Sequence, residues 1–346
     1  LKFSTQLLAW WDNNGRKDLP WQHPRTAYQV WVAEIMLQQT QVKTVIPYFN
    51  RFMQRFPDLQ SLAGASMDEV LSYWSGLGYY ARARNLLKTA KICMTQHNAE
   101  LPQTPEVLAT LPGIGESTAN AIYSQAYDQP AVILDGNVKR VLARYLAIEG
   151  WPGKSAIHRQ MWNAAAQLLP AKRGADYTQA IMDLGATVCT RNKPLCDQCP
   201  VKQSCQAHVT GTVEQFPHPR PGLKITKKSL QMLILIDKNG NVLLERRPPV
   251  GIWGGLWSLP SDDDGCSVTQ RLGLENQALT PLTTMQHQLT HMQMTIHPLI
   301  GHAELLSDGV ECSPDQRWFS QQEWPELGLP RPVRDLLQIH LENGEK

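Results

Sequence analysis

Leu111-Pro-Gly-Ile-Gly-Glu-Ser-Thr-Ala119, then a helix-compatible run, then Ala131-Val-Ile-Leu134 and Asp135-Gly-Asn-Val-Lys139, form the stretch that decides the fold. A Pro-Gly-x-Gly turn entering a helix leaves successive backbone N–H groups unpaired and aimed outward, and the helix dipole adds partial positive charge there. Such a turn seats an anion, and Gly113 and Gly115 let the backbone approach a phosphate that a side chain would hold off. Ala119 and Ala121 leave room for another helix to pack. Twenty residues after Gly115 the chain delivers a carboxylate, Asp135, at the expected start of the next helix. Each feature alone has a plain reading, a turn and an N-cap; their conjunction points to chemistry.

Upstream the texture is also helical. Residues 4–11 pattern as a helix with Leu7, Leu8, Trp10 and Trp11 at packing positions. Leu19-Pro-Trp-Gln-His-Pro24 ends it, since proline restricts the residue before it and donates no N–H. From Thr26 to Thr40 the pattern is strongly helical, and Ala27, Val30, Glu34 and Leu37 share one face. The only acid on this helix projects from a largely apolar stripe, where desolvation favours the neutral carboxyl and raises its pKa. A surface position or an arginine partner is the ordinary alternative, and the apolar neighbours argue against it. Further helices are expected near 43–55, 67–74, 82–97, 105–110, 137–148, 155–168 and 175–188, with a helical hairpin at about 108–126. Little period-two patterning precedes residue 210, so residues 1–210 read as an all-α domain. The loop Ser75-Gly-Leu-Gly-Tyr-Tyr80 joins two of its helices; Leu77 and Tyr79 there either pack on the core or wedge between base steps of a duplex.

Four of the seven cysteines fall in the loop 189–205, spaced Cys189-x6-Cys196-x2-Cys199-x5-Cys205. The first residues, Leu1-Lys-Phe-Ser4, lack the basic-then-apolar pattern of a secretion signal, and with an odd cysteine count this argues against a disulfide framework. Four thiolates suit tetrahedral zinc or an iron-sulfur cluster, and the spacing is not a pair of Cys-x2-Cys knuckles. Arg191 and Lys193, between the first two cysteines, are placed to meet phosphates. No run approaches ~18 consecutive apolar residues, which excludes a helical membrane span and makes a cytoplasmic, DNA-associated protein the expectation. The net charge of +2 conceals an asymmetry: residues 1–210 carry 21 Lys and Arg against 15 Asp and Glu, residues 211–346 carry 12 against 16. The basic half suits a polyanion.

From 211 to 228 the composition turns to proline and basic residues, as in Phe216-Pro-His-Pro-Arg-Pro-Gly222, and reads as a linker. Beyond it Ser229 to Asp237, a Lys238-Asn-Gly240 turn and Val242 to Arg246 read as a β-hairpin. Strands near 283–301 and 316–320 and a helix near 331–342 make residues 229–346 an α+β domain.

The Leu-Pro-Gly-Ile-Gly-x-x-Thr-Ala119 pattern followed by Leu134-Asp-Gly-Asn-Val-x-Arg140 resembles the helix-hairpin-helix and catalytic-aspartate signature of the endonuclease III superfamily of DNA glycosylases. The cysteine spacing is similar to the [4Fe-4S] loop of that superfamily. Gly251-Ile-Trp-Gly-Gly-Leu-Trp-Ser-Leu-Pro260 resembles the Nudix-like C-terminal domain of bacterial adenine DNA glycosylases. A Nudix hydrolase needs a Glu-rich helix to hold Mg²⁺, and Asp262 to Glu275 offers no Arg-Glu-x-x-Glu-Glu cluster, so the fold is expected without its hydrolase chemistry. With Ala33-Glu-Ile-Met-Leu-Gln-Gln-Thr40 and Gly76-Leu-Gly-Tyr-Tyr80 added, the resemblance extends over nearly the whole chain to the MutY-type adenine DNA glycosylases.

That resemblance implies a monomeric base-excision enzyme on double-stranded DNA that flips and removes adenine opposite 8-oxoguanine or guanine, with one [4Fe-4S] cluster on Cys189, Cys196, Cys199 and Cys205. It implies that Glu34 protonates the adenine, that Asp135 stays ionised to meet the positive charge developing on the sugar, and that Asn137 positions sugar or water. It places Trp21, Leu37, Val42 and Gln179 around the adenine and Gln39, Leu77 and Tyr79 in the gap beside the lesion. Thr40 and Ser117 join the substrate-binding set, and Gly113, Gly115, Arg191 and Lys193 meet DNA phosphate. Bifunctional relatives carry a lysine where this chain has Ser117, so a monofunctional enzyme that leaves an intact abasic strand is expected. Thr290 and His291 stand where many bacterial relatives read the lesion with Phe-Ser-His, but Leu289 replaces the aromatic. An endonuclease III-like enzyme on oxidised pyrimidines, a Nudix pyrophosphohydrolase and a non-catalytic iron-sulfur DNA-binding protein are the rival readings; the last would not need Glu34 and Asp135 together.

Overall fold

Helix starts follow local capping chemistry. The Thr26 hydroxyl accepts from the Gln29 N–H at 3.2 Å and the Asp135 carboxylate from the Val138 N–H at 2.7 Å, each satisfying a first-turn donor that the helix leaves open. The computed structural model describes residues 2–222, 226–262, 267–274, 278–289, 292–302 and 315–342. Its first helices are α1 (Phe3–Asn14), α2 (Ala27–Leu37), α3 (Val42–Arg55), α4 (Leu59–Gly64), α5 (Met67–Trp74), α6 (Ala81–Gln96) and α7 (Pro105–Leu108). Then come α8 (Glu116–Tyr127), α9 (Gly136–Tyr145), α10 (Ser155–Leu168), α11 (Gly174–Asp183) and α12 (Gln206–Val209). Among the described residues no helix is long and apolar enough to cross a membrane.

Backbone contacts divide the chain into two units, Leu1–Gly64 with Asn85–Gly222, and Ala65–Arg84 with Leu223–Lys346. In the first, α2 is apolar nearly all round. Val30, Trp31, Val32, Ala33, Ile35 and Met36 are buried, more than the single stripe expected from spacing, so the helix is a core element. The turn Leu111–Gly115 links α7 to α8. Gly113 has φ +79°, and a Cβ there would come within 2.8 Å of the Asn85 Cβ, so backbone conformation and packing on α6 both demand glycine. Gly115 differs: its φ of −87° suits any residue, and a Cβ there would face open space. Helix α11 does not run on as regular α-helix to 188, as its periodicity suggests. Leu184–Val188 widens into a π turn, and Gly185 packs so closely on Asn137 that a Cβ would lie 2.7 Å from the Asn137 Cβ.

The second unit carries a mixed sheet of β1 (Thr226–Ile236), β2 (Val242–Arg246), β3 (Trp257–Ser258), β4 (Thr280–Pro281), β5 (Met285–Leu289), β6 (Met292–His302) and β7 (Gln316–Phe319). The order is β3-β2-β1-β6-β4, with β5 also on β6 and β7 also on β2. The expected hairpin is present, Ile236 opposite Val242 with Gly240 at φ +81° in its turn. The longest pairing is parallel, β1 with β6, from Thr226 opposite Met292 to Ile236 opposite His302. Alternation along β1 feeds two cores: Met232 and Ile234 pack with Val333, Leu336 and Leu337 of α14 (Arg331–Leu337), and Leu233 and Leu235 with Val268 of α13 (Val268–Arg271) and with Leu272 just beyond it. The residues Ala65–Arg84 belong here through specific bonds. Arg246 pairs with Asp68 at 2.5 Å, the Tyr80 hydroxyl donates to the Leu329 carbonyl at 3.4 Å, and the Arg84 guanidinium donates to the Gly254 carbonyl.

Candidate active site

Helices α2, α8, α9 and α11 of the first unit surround a cavity of about 990 Å³. Of the residues singled out from sequence, Trp21, Glu34, Leu37, Gln39, Thr40, Val42, Ser117, Asp135, Asn137, Gln179 and Arg191 line it together. Gly113, Gly115, Lys193, Leu77, Tyr79 and the four cysteines do not. Thr290 and His291 lie outside the described residues.

Glu34 is half-buried, and burial is the main force pushing its carboxyl up to about 7; the negative charge of Asp135 adds to the rise and a hydrogen bond from Gln125 opposes it. That bond runs from Gln125 Nε2 to Glu34 Oε1 at 2.7 Å. Asp135 caps α9, so the plain N-cap reading and the functional one coexist. Burial raises its carboxyl as well, against the pull of the Val138 N–H, the Asn137 amide and the Arg140 charge. Both acids are therefore lifted by desolvation, and hydrogen bonding separates them. Asp135 accepts from the Val138 N–H and from Asn137 Nδ2 at 3.2 Å, at a helix N-terminus that favours the anion.

The support around Asp135 is dense. Ser117 Oγ accepts from the Leu134 N–H at 2.8 Å, tying the first turn of α8 to the residue before the aspartate. Arg140 donates to Asn137 Oδ1 at 2.8 Å, to the Gly185 carbonyl at 2.6 Å and to the Cys189 carbonyl at 2.7 Å. On the opposite wall Gln179 Nε2 donates to Asp183 Oδ1 at 2.8 Å, which leaves the amide oxygen of Gln179 as its acceptor. Asp183 is 1 % exposed and also takes bonds from Trp11 Nε1, the Arg16 backbone N–H and the Arg16 guanidinium. Sequence reasoning missed Gln125, Arg140, Asp183 and Arg16. An Arg one helical turn beyond Asn137 was the available signal for Arg140; the others have none.

The loop residues divide. Leu77 is buried at 6 % exposure, and Tyr79 is exposed at 45 % with φ +49°. Arg82 braces the loop by donating to the Leu77 and Gly78 carbonyls at 3.2 and 3.0 Å while its guanidinium lies 5.5 Å from the Tyr79 ring centre. In the 189–205 segment all four cysteines are half-buried and none is in a disulfide. Burial pushes the Cys199 thiol up to about 12, and it lies near enough to the other three to be raised further by their charge. Arg144, 3 % exposed, donates to Cys189 Sγ at 3.4 Å and to the Thr190 carbonyl at 2.7 Å. Among the described residues no three His, Cys, Asp or Glu side chains converge on the position of a single metal ion.

Comparison with known proteins covers both units. Residues 32–167 match the HhH-GPD superfamily of base excision DNA repair proteins, and residues 231–338 match the NUDIX domain. The chain is 35 % identical to an adenine DNA glycosylase of Buchnera aphidicola (subsp. Acyrthosiphon pisum, strain APS), covering 99 % of this chain and 98 % of the relative. It is 33 % identical to an adenine DNA glycosylase of Rattus norvegicus, covering 99 % and 78 %. Among solved structures it is similar to a thermostable thymine-DNA glycosylase, with a TM-score of 0.55 and 25 % identity over 60 % of this chain and 95 % of that one. A non-covalent endonuclease III–DNA complex shares the fold, with a TM-score of 0.52 and 20 % identity over 60 % of this chain and 94 % of that one.

Proposed function

The chain belongs to the adenine DNA glycosylase family, and from that premise we propose how its own residues remove adenine and from which mispairs. It is a DNA N-glycosylase of base-excision repair. The substrate is adenine opposite 8-oxoguanine or guanine in duplex DNA, extruded into the cavity between α2 and α9 because the target atoms are out of reach inside the stack. The observation that carries this reading is one cavity holding a carboxyl that keeps its proton to about 7 and a second whose donors favour the anion.

Adenine is a poor leaving group until it is protonated. Glu34 gives its proton to N7 as the glycosidic bond breaks, and the bonding electrons leave with the base. Asp135 meets the positive charge on the sugar, by electrostatics or by a transient bond, before water completes hydrolysis. Asn137, held between Asp135 and Arg140, aims the sugar or the water. Trp21, Leu37, Thr40 and Val42 pack the extruded base, and the free oxygen of Gln179 accepts from an amino group on it. Ser117 has no amine with which to attack the sugar, so the enzyme is monofunctional and leaves an intact abasic strand. Gly113, Gly115, Arg191 and Lys193 face phosphate, and Gln39, Leu77, Tyr79, Thr290 and His291 serve the lesion side. Leu77 acts there only if the loop rearranges on DNA, because it is buried.

Cys189, Cys196, Cys199 and Cys205 would hold one [4Fe-4S] cluster. Four thiols close enough to act on one another's charge, with the Arg144 guanidinium donating to Cys189 Sγ, suit a thiolate-held cluster. When bound, the cluster braces the basic loop, and no step of base removal passes through it. Single-turnover release of adenine from a duplex with adenine opposite 8-oxoguanine tests the whole reading. The parent releases base and leaves the strand uncut, while Glu34→Gln and Asp135→Asn bind the duplex but release none; an inactive, folded, cluster-loaded parent would sink the mispair assignment.

A further inference from the structure

Gln125 sits on α8, 3 % exposed, and the roles assigned so far leave it unused. Its Nε2 reaches Glu34 Oε1 at 2.7 Å across the packed helices α2 and α8. We propose that Gln125 is a positioning residue for the acid: by occupying Oε1 with an N–H donor, it places the carboxyl hydrogen on Oε2 and sets the pH at which Glu34 lets that hydrogen go. The inference rests on the acid role given to Glu34.

A carbonyl oxygen accepts a hydrogen bond better than a hydroxyl oxygen. A protonated Glu34 with one oxygen held by an amide N–H therefore keeps its own hydrogen on the other. The proton to be transferred is thus aimed before any base arrives, which spares the reaction a rotational search. The same N–H stabilises the carboxylate more than the acid, so Gln125 works against the burial that raises the Glu34 titration. The charged groups that line the cavity with the carboxyl are Asp135 at the N-cap of α9, Arg140 within it, Lys43 on α3, Arg16 after α1 and Arg191 in the 189–205 segment; of these, the charge of Asp135 is what moves Glu34. Helix α8 contributes Gln125 as its polar contact to the acid. Without that contact the acid would hold its proton to higher pH and donate it less readily.

The test uses the full chain with its glutamates ¹³C-labelled at the carboxyl carbon, the Glu34 resonance being the one missing from Glu34→Gln. The parent, Gln125→Met and Gln125→Leu are titrated; methionine keeps the length and volume of glutamine without its N–H. The midpoint is expected near neutrality in the parent and about one pH unit higher in both variants. Single-turnover adenine release should then persist to correspondingly higher pH, because it needs protonated Glu34. An unchanged midpoint overturns the proposal. So does a lower one, which would mean that the amide is reversed and its carbonyl accepts the acid's hydrogen. A uniform loss of rate at every pH with the midpoint fixed would reduce Gln125 to packing and also overturns it. A parent that released no adenine would fail the glycosylase reading, while the titration, which needs no substrate, would still decide the Gln125 bond by the same outcomes.

Discussion

Replacing the acid should make the protein sturdier, and more so as pH rises. The Glu34 carboxyl titrates at about 7 in the fold against an ordinary 4.5, mainly because it is desolvated. Between those values the folded chain binds a proton that the unfolded chain has lost, so stability falls as pH rises through the interval and levels off above it. At about 1.4 kcal/mol per tenfold change in proton affinity, the full penalty above neutrality is about 3 kcal/mol, and nearer 2 once water at the half-buried carboxyl is allowed for. Glu34→Gln removes the titration and leaves an amide oxygen that can still accept from Gln125. The assay is urea unfolding of parent and variant at several pH values from about 4 to 8.5. Near the acid end the two should differ by a constant set by packing. Moving up, the variant should gain steadily on the parent, reach an advantage of about 2 to 3 kcal/mol near pH 7.5, and gain nothing beyond. A difference flat across the whole range would refute the reasoning, because it would mean that Glu34 titrates alike in folded and unfolded chains. The result would also express a cost of the proposed function, since the desolvation that raises the Glu34 carboxyl is the same energy that strains the fold.

Ser117→Ala deletes the acceptor for the Leu134 N–H and should cost about 1 kcal/mol in unfolding free energy; because Asp135 is the next residue, single-turnover base release should fall by more than that loss of stability explains. Asp183→Ala strips the partner from a part-buried Arg16 and unfixes Gln179, and should destabilise by about 3 kcal/mol in denaturant unfolding, with Asp183→Asn recovering part of the loss. Cys199→Ser should abolish iron incorporation and visible absorbance, and should loosen the 189–205 loop as read by limited proteolysis; full iron loading in that variant would remove Cys199 from the ligand set.

What the sequence discloses about this site depends on whether a residue acts by type or by aim. Gly113 was legible because no other residue takes φ +79° against Asn85, and Asp135 because a helix start and an anion at a sugar both call for the same short carboxylate. Glu34 was legible as the lone acid of an apolar helix, although the extent of its burial was not, since the stripe argument counts one face and α2 is enclosed on several. Gln125 acts by aim. A glutamine on α8 has no periodic signature, and its partner lies 91 residues earlier in the chain. Asp183 is similar, bonded to Trp11 across 172 positions. The fold divides along the same line. Alternation identifies β1 and β6 as strands but cannot say that they pair in parallel, and α4, α13, β3 and β4 are too short to show a period. The loop at Gly76–Tyr80 follows a helix, and local pattern groups it with helices, yet Asp68, Tyr80 and Arg84 bond to residues at least 170 positions onward. Long-range bonds of this kind set the surroundings of Glu34 and hold the Gln179 amide in place, so variation at Gln125 or Asp183 should alter the pH range and base preference of the enzyme while the residues that identify the family stay the same.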